Sequence, residues 1–185
     1  MVIKTVVESE MKKYNKKEEK IKNYLSDKEN LRKLGNNLVL YKQRPTQIIG
    51  SLGKINEINI PTYDVPEFDF GNDKPDIICF DEIDSDIVIV EIKSKHARHE
   101  VFGQILCYMT WAKKNIRYAN GKEVNTVKGI ILAHKIHPSL TMLVEEYENM
   151  LPKIDLKTYH WTTHEKELII EGTNHSFLYS LKSKR

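Results

Sequence analysis

Asp76, Glu91 and Lys93 have the types and spacing of a hydrolytic centre built on one β-hairpin. The run Ile87-Val88-Ile89-Val90 reads as a buried strand, yet Glu91 closes it and Lys93 follows after a single isoleucine. Strand side chains alternate faces, so Glu91 and Lys93 point the same way, about 6–7 Å apart along the chain. Val88, Val90 and Ile92 then point the other way, into the core. If the chain turns about Ile83-Asp84, Phe80 faces Ile87, Ile78 faces Ile89 and Asp76 faces Glu91. Directly opposed side chains bring their Cβ atoms to ~4.5–5.5 Å, where like charges destabilise one another unless something positive lies between them. A divalent cation meets that need. Carboxylate oxygens are hard ligands for Mg²⁺ or Mn²⁺, and Mg²⁺ keeps several waters beside one or two carboxylates and substrate phosphate oxygens. The Ile92 carbonyl is a further ligand at the strand end, and Lys93 stands beside the ion as a point charge facing developing negative charge. On the strand pattern alone, a plain surface ion pair between Glu91 and Lys93 is the alternative.

The elements that must position these groups follow from periodicity. Residues 77–80 and 86–93 form a hairpin around the acidic turn Asp81 to Asp86, which lacks the glycine and distal glutamate of a calcium loop. A helix from about Arg98 to Asn115 carries the apolar stripe Val101, Phe102, Ile105, Leu106, Met109 and Ala112, with Gly103, Cys107, Thr110 and Lys114 opposite. Gln104 and Tyr108, four apart and stacked on one face, fall at the edge of that stripe. Val127 to Ala133 is a second apolar strand, and Pro138 opens a helix to about Leu151, at the first helical position where its missing N–H costs nothing. Terminal strands are expected at Ile154–Trp161, Glu167–Ile170 and Phe177–Leu181. Upstream, a long or broken amphipathic helix covers about residues 7–34. Short β-prone pieces follow at Leu38–Gln43, Gln47–Ile49 and Ile55–Ile60, then a proline-rich loop from Pro61 to Pro75.

Together these residues carry a resemblance. Pro75-Asp76, then fourteen residues, then Glu91-Ile92-Lys93 resembles the PD-(D/E)xK nuclease motif. The helix segment Gln104-Ile105-Leu106-Cys107-Tyr108 is similar to the QxxxY motif of that superfamily's RecB-like and NucS-like branches, and the match runs from about Asp76 to Ile136. The resemblance implies a restriction-endonuclease-like α/β fold, a mixed β-sheet flanked by α-helices. It also implies hydrolysis of DNA phosphodiester bonds, with an endonuclease acting on single-stranded or branched DNA as the expected form. Asp76, Glu91 and the Ile92 carbonyl would hold Mg²⁺, with Mn²⁺ able to substitute, and a first-helix glutamate, Glu18 or else Glu19, would complete the metal site. Lys93 would serve the reaction itself, and Gln104 and Tyr108 would position Lys93 or the substrate strand. Lys95, Arg98 and His99, with His96, form a basic cluster past Lys93 that can meet phosphates; a solvated loop is the alternative. The chain departs from the pattern in having little room for the separate N-terminal dimerisation domain of NucS-like proteins, so a homodimer is allowed but its geometry is not carried over.

Composition bounds the rest. One domain over residues 1–185 is expected: a core at 76–136, the helix at about 7–34, and a helix and strands over 138–182. Thirty per cent charged residues and the lack of any apolar run of ~18 residues exclude a membrane-spanning segment. The net charge of +3 comes from lysines spread along the chain and permits a phosphate-bearing partner without demanding one. Two cysteines without CxxC spacing argue against a disulfide framework or a cysteine zinc site, and the N-terminus has no secretion signal, so a cytoplasmic protein is expected. His134/His137 and His160/His164 lack a third ligand and read as structural or surface residues. The rival readings are a non-catalytic nucleic-acid-binding module of the same fold and a metal-dependent hydrolase of a small phosphorylated molecule.

Overall fold

The computed structural model describes residues 16–41, 74–116, 118–119, 122–164 and 166–173. The expected helix over residues 7–15, the strand pieces Gln47–Ile49 and Ile55–Ile60, most of the Pro61–Pro75 loop, and Phe177–Leu181 lie outside the described residues. In chain order the elements are helix α1 (16–25) and α2 (Lys28–Leu31), then strands β1 (Leu38–Leu40), β2 (Ile77–Asp81) and β3 (Asp86–Ala97). There follow α3 (Glu100–Asn115), β4 (Tyr118–Ala119), β5 (Lys122–Glu123), β6 (Val127–Ile136), α4 (Pro138–Tyr147), β7 (Ile154–Trp161) and β8 (Leu168–Gly172). Among the described residues, six strands form one mixed sheet in the order β1-β2-β3-β6-β7-β8, and β4 and β5 form a separate hairpin. This is the mixed sheet flanked by helices that the motif resemblance implies.

The centre of the sheet is a right place for a long apolar strand. β3 pairs antiparallel with β2 and, after the α3 crossover, parallel with β6. The hairpin register is the one expected, with Phe80 opposite Ile87 and Ile78 opposite Ile89. The expectation that one face of β3 alone enters the core needs correction. Ile87 and Ile89 pack in one cluster with Val101, Phe102, Ile105 and Met109 of α3, while Val88, Val90 and Ile92 pack in another with Ile21 and Leu25 of α1. Helices cover both faces, which is why the strand is apolar at nearly every position.

Local chemistry sets the ends of the helices. The first helix is broken: Ser26 Oγ turns back to the Lys22 carbonyl, and Asp27 Oδ1 then caps α2 by accepting from Glu29 N–H at 3.0 Å and Asn30 N–H at 3.2 Å. Pro138 opens α4, where His137 Nδ1 accepts from Ser139 N–H at 3.2 Å, and the helix ends at Tyr147 rather than Leu151. No helix among the described residues is long and apolar enough to cross a membrane.

How closely α3 approaches the sheet depends on Gly129 of β6. A Cβ there would lie 2.8 Å from Met109 Sδ and 2.9 Å from Ile105 Cδ1, both in the core. Gly129→Ala should therefore push α3 off the sheet and lower stability by about 1–3 kcal/mol. The check is the midpoint of urea unfolding, which should fall with an unchanged slope; an unaltered midpoint would show that α3 yields freely.

Candidate active site

The site lies where β2 begins and the straight run of β3 ends. Continuing the β2–β3 ladder past Ile77–Val90 sets Asp76 opposite Glu91 and Pro75 opposite Ile92. Asp76 has already left the strand, and its Oδ2 accepts the Ile92 N–H at 2.8 Å. Proline has no N–H to return to the Ile92 carbonyl. The dipeptide Pro75-Asp76 thus ends the pairing on that side: one residue's side chain takes the N–H, and the other offers the carbonyl no ladder donor.

On the other side of β3, the register against β6 slips between Lys93 and His96. There Ser94 N–H donates to Glu18 Oε1 of α1 at 2.9 Å. Irregularities of this kind re-aim side chains and recur beside active sites. The half-buried Glu18 is turned toward the site, whereas its neighbour Glu19 is exposed. Asp76, Glu91, Lys93 and Glu18 are thereby brought together from three separate elements.

Two acids of β3 are buried, Asp86 at 1% exposure and Glu91 at 2%, and the contrast between them is informative. Asp86 accepts from Thr126 N–H at 2.9 Å and pairs with Lys128 Nζ through its other oxygen, so both its oxygens are used in holding the hairpin to β6. Glu91 Oε1 accepts from Lys93 Nζ at 2.6 Å, while Oε2 is the one buried side-chain polar atom without a hydrogen-bond partner among the described residues. Leaving such an oxygen unsatisfied costs about 1–3 kcal/mol, and more when it is charged. A purely structural ion pair does not require that. The surface-pair alternative for Glu91 is excluded by its burial, and only Lys93, about a quarter exposed, reaches solvent.

The electrostatics follow from this packing. Burial first, and the Asp76 charge second, push the Glu91 carboxyl up to about 7, against the opposing pull of Lys93. Burial also raises Asp76, partly offset by the Ile92 N–H bond. For Lys93, burial acts to lower the pKa, but the charge and hydrogen bond of Glu91, with Glu18 and Asp76, outweigh it and hold the ammonium form. The result is a fixed cation beside two carboxylates that resist being charged together.

No group of three or more His, Cys, Asp or Glu side chains among the described residues converges as a ready metal cage. The carboxylates that meet here are those of Asp76 and Glu91, with the Glu18 charge acting on both, and one or two carboxylates are what Mg²⁺ commonly uses when water and phosphate supply the rest.

On α3, Gln104 Nε2 donates to Tyr108 Oη at 2.9 Å. Tyr108 is 2% exposed and part of the core rather than at the edge of the helix stripe, and Gln104 is half-buried beside it. Lys95, Arg98 and His99 are exposed at and beyond the end of β3, with His99 Nε2 3.8 Å from Glu100. Sequence reasoning missed Tyr159, whose hydroxyl donates a long 3.5 Å bond to the Lys93 carbonyl and whose pKa burial raises to about 12. The available signal was the alternation of Tyr159 and Trp161 on one face of β7.

No family model matches the chain, and no curated protein matches it. Part of the chain is similar to three solved structures. A repair endonuclease from Pyrococcus abyssi is 22% identical, with 43% of this chain and 30% of that one covered and a TM-score of 0.33. EndoMS in its apo form is 20% identical, with 42% and 29% covered and a TM-score of 0.32. An EndoMS–dsDNA2 complex is 20% identical, with 49% and 33% covered and a TM-score of 0.36. The chain spans a third or less of the length of those proteins.

Proposed function

We propose that this chain is a metal-dependent nuclease of PD-(D/E)xK type that hydrolyses DNA phosphodiester bonds, as an endonuclease acting on single-stranded or branched DNA. The observation that carries the reading is the buried Glu91 Oε2, without a hydrogen-bond partner among the described residues and beside the charge of Asp76. Asp76, Glu91 and the Ile92 carbonyl fit Mg²⁺, with Mn²⁺ as a substitute, and Glu18 supports the arrangement through Ser94. Held by these residues, the ion would supply Lewis acidity for activating a water and for offsetting charge on the phosphate.

Lys93, held as an ammonium by Glu91, presents a fixed positive charge to the phosphate as its negative charge grows, needing no reorganisation during the reaction. Gln104 and Tyr108 form one hydrogen-bonded unit on α3 that orients the substrate strand or Lys93. Lys95, Arg98 and His99 hold the flanking phosphates, contacts that set position without reading sequence. DNA as the substrate comes from the motif resemblance.

The test is a panel of labelled single-stranded, branched, mismatched and fully paired substrates with Mg²⁺, Mn²⁺ or EDTA. Cutting of single-stranded or branched DNA that needs the cation is expected. Salt-sensitive binding without cutting under any cation would instead favour the non-catalytic module.

A further inference from the structure

A second feature lies directly beside the candidate centre, on the opposite face of β3. A cavity of about 210 Å³ opens between α1 and the carboxyl ends of the parallel strands β3, β6 and β7, lined by Lys17, Lys20, Ser94, His134, Tyr159 and Trp161. The carboxyl ends of parallel strands are where open α/β sheets take their ligands. Pockets for drug-sized ligands usually hold about 300–1,000 Å³, so this one suits a single planar group with its charged appendage.

Its chemistry is mixed in one specific way. Trp161 is set edge-to-face against Tyr24, with centroids 5.3 Å apart and planes at 80°. Tyr24 is itself fixed, since Lys33 Nζ donates to its hydroxyl at 3.0 Å and to the Leu168 carbonyl at 3.1 Å. Lys20 Nζ stands 4.6 Å from the centroid of the Trp161 ring, and Lys17 lies one turn before it on α1. A fixed aromatic ring with one lysine ammonium over its face and a second lysine one turn earlier on the same helix can take an unpaired base on the ring, the ammonium moving off the face to hold the phosphate. The pocket adjoins the centre: Ser94 follows Lys93 and donates its N–H to Glu18, Glu18 follows Lys17, and Tyr159 donates to the Lys93 carbonyl.

We propose that this cavity is a subsite for one unpaired nucleotide of the substrate strand, its base against Trp161 and its phosphate held by Lys17 and Lys20. The inference rests on the nuclease reading for its substrate and deepens it, because a base within a duplex cannot reach the ring. It gives the chain a preference for single-stranded or locally opened nucleic acid that tolerates any base, since every base has a face to stack.

The test reads binding rather than cutting. The chain has two tryptophans, so Trp111→Phe leaves Trp161 as the sole reporter. The full-length variant is titrated in EDTA with a single-stranded oligonucleotide, the same strand in blunt duplex, and versions with one abasic position moved along the strand, with anisotropy of a labelled strand run in parallel. Quenching of Trp161 by the single strand, lost with one abasic position and absent with duplex, is expected. Trp161→Leu should weaken single-strand binding about tenfold, and Lys17→Glu with Lys20→Glu should do so with a shallower salt dependence. Saturated binding with unmoved Trp161 emission, equal quenching by duplex, or no single-strand binding would overturn the subsite. Cation-dependent cutting alongside any of these leaves the nuclease reading standing, and quenching without cutting under any cation sinks that reading alone.

Discussion

Glu91→Gln is expected to abolish cleavage, by a factor on the order of 10²–10³ or more, while making the cation-free protein more stable above neutral pH. Loss of one electrostatic group at a reacting centre has effects of that size. The stability gain has a separate cause. Glu91 is buried with its pKa pushed up to about 7, so at pH 8 the fold carries a charge that its surroundings disfavour. The neutral amide has nearly the same shape and removes that charge, and its oxygen can still accept from Lys93 Nζ. Lys93→Met should also abolish cleavage but with the opposite sign in stability, because it removes the cation beside a buried acid. Breaking a buried pair from one side costs about 3–5 kcal/mol when the remaining charge cannot be relieved. Cleavage rates and urea midpoints at pH 8 in EDTA check both variants. An active Glu91→Gln protein, or one that loses stability as Lys93→Met does, would mean that Glu91 is a structural acid.

The register that brings Asp76 to Glu91 was legible in the sequence because it depends on local signals only. The acidic turn fixes where the hairpin reverses, and strict alternation then sets every cross-strand pair. The burial of Glu91 was not legible. An acid interrupts an apolar pattern and so reads as facing out; what covers it is the packing of helices on both faces of β3, which no window of sequence contains. Helical spacing sets Tyr108 at the rim of the α3 stripe for the same reason, yet it is 2% exposed in the core cluster that α3 forms with the sheet. The limits of β7, Ile154–Trp161, follow from its local pattern, yet Tyr159 and Trp161 carry no local motif. They line one cavity with Ser94 only because the sheet order places β7 beside β6 and β6 beside β3. The β4–β5 hairpin went unread because strands of two residues have no period to detect.

A pH titration of stability should separate the cost of this site from the rest of the fold. The Glu91 carboxyl has a pKa of 4.5 when free and about 7 when folded. The folded state therefore binds its proton more tightly than the unfolded chain does. The stability this provides is complete below pH 4.5, declines as pH rises toward 7, and is gone above it. Over that window the difference amounts to about 3 kcal/mol, and the upward shift of Asp76 acts in the same direction. Lys93 does not contribute there, because its ordinary pKa is 10.5 and its shift is upward. Other carboxylates that gain partners on folding push the opposite way, so the quantity to read is the difference between wild type and Glu91→Gln in EDTA. Wild type should lose ground to the variant steadily from pH 4.5 to 7, by roughly 5–10 °C in Tm over the window, and run parallel to it above pH 8. Mg²⁺ binds only the charged carboxylates, so its addition should raise the wild-type Tm at pH 8, do little at pH 5, and do little to Glu91→Gln at either. Parallel curves across the whole range would show that Glu91 ionises as a solvated acid, and the orphaned oxygen would lose its meaning as a place for a cation.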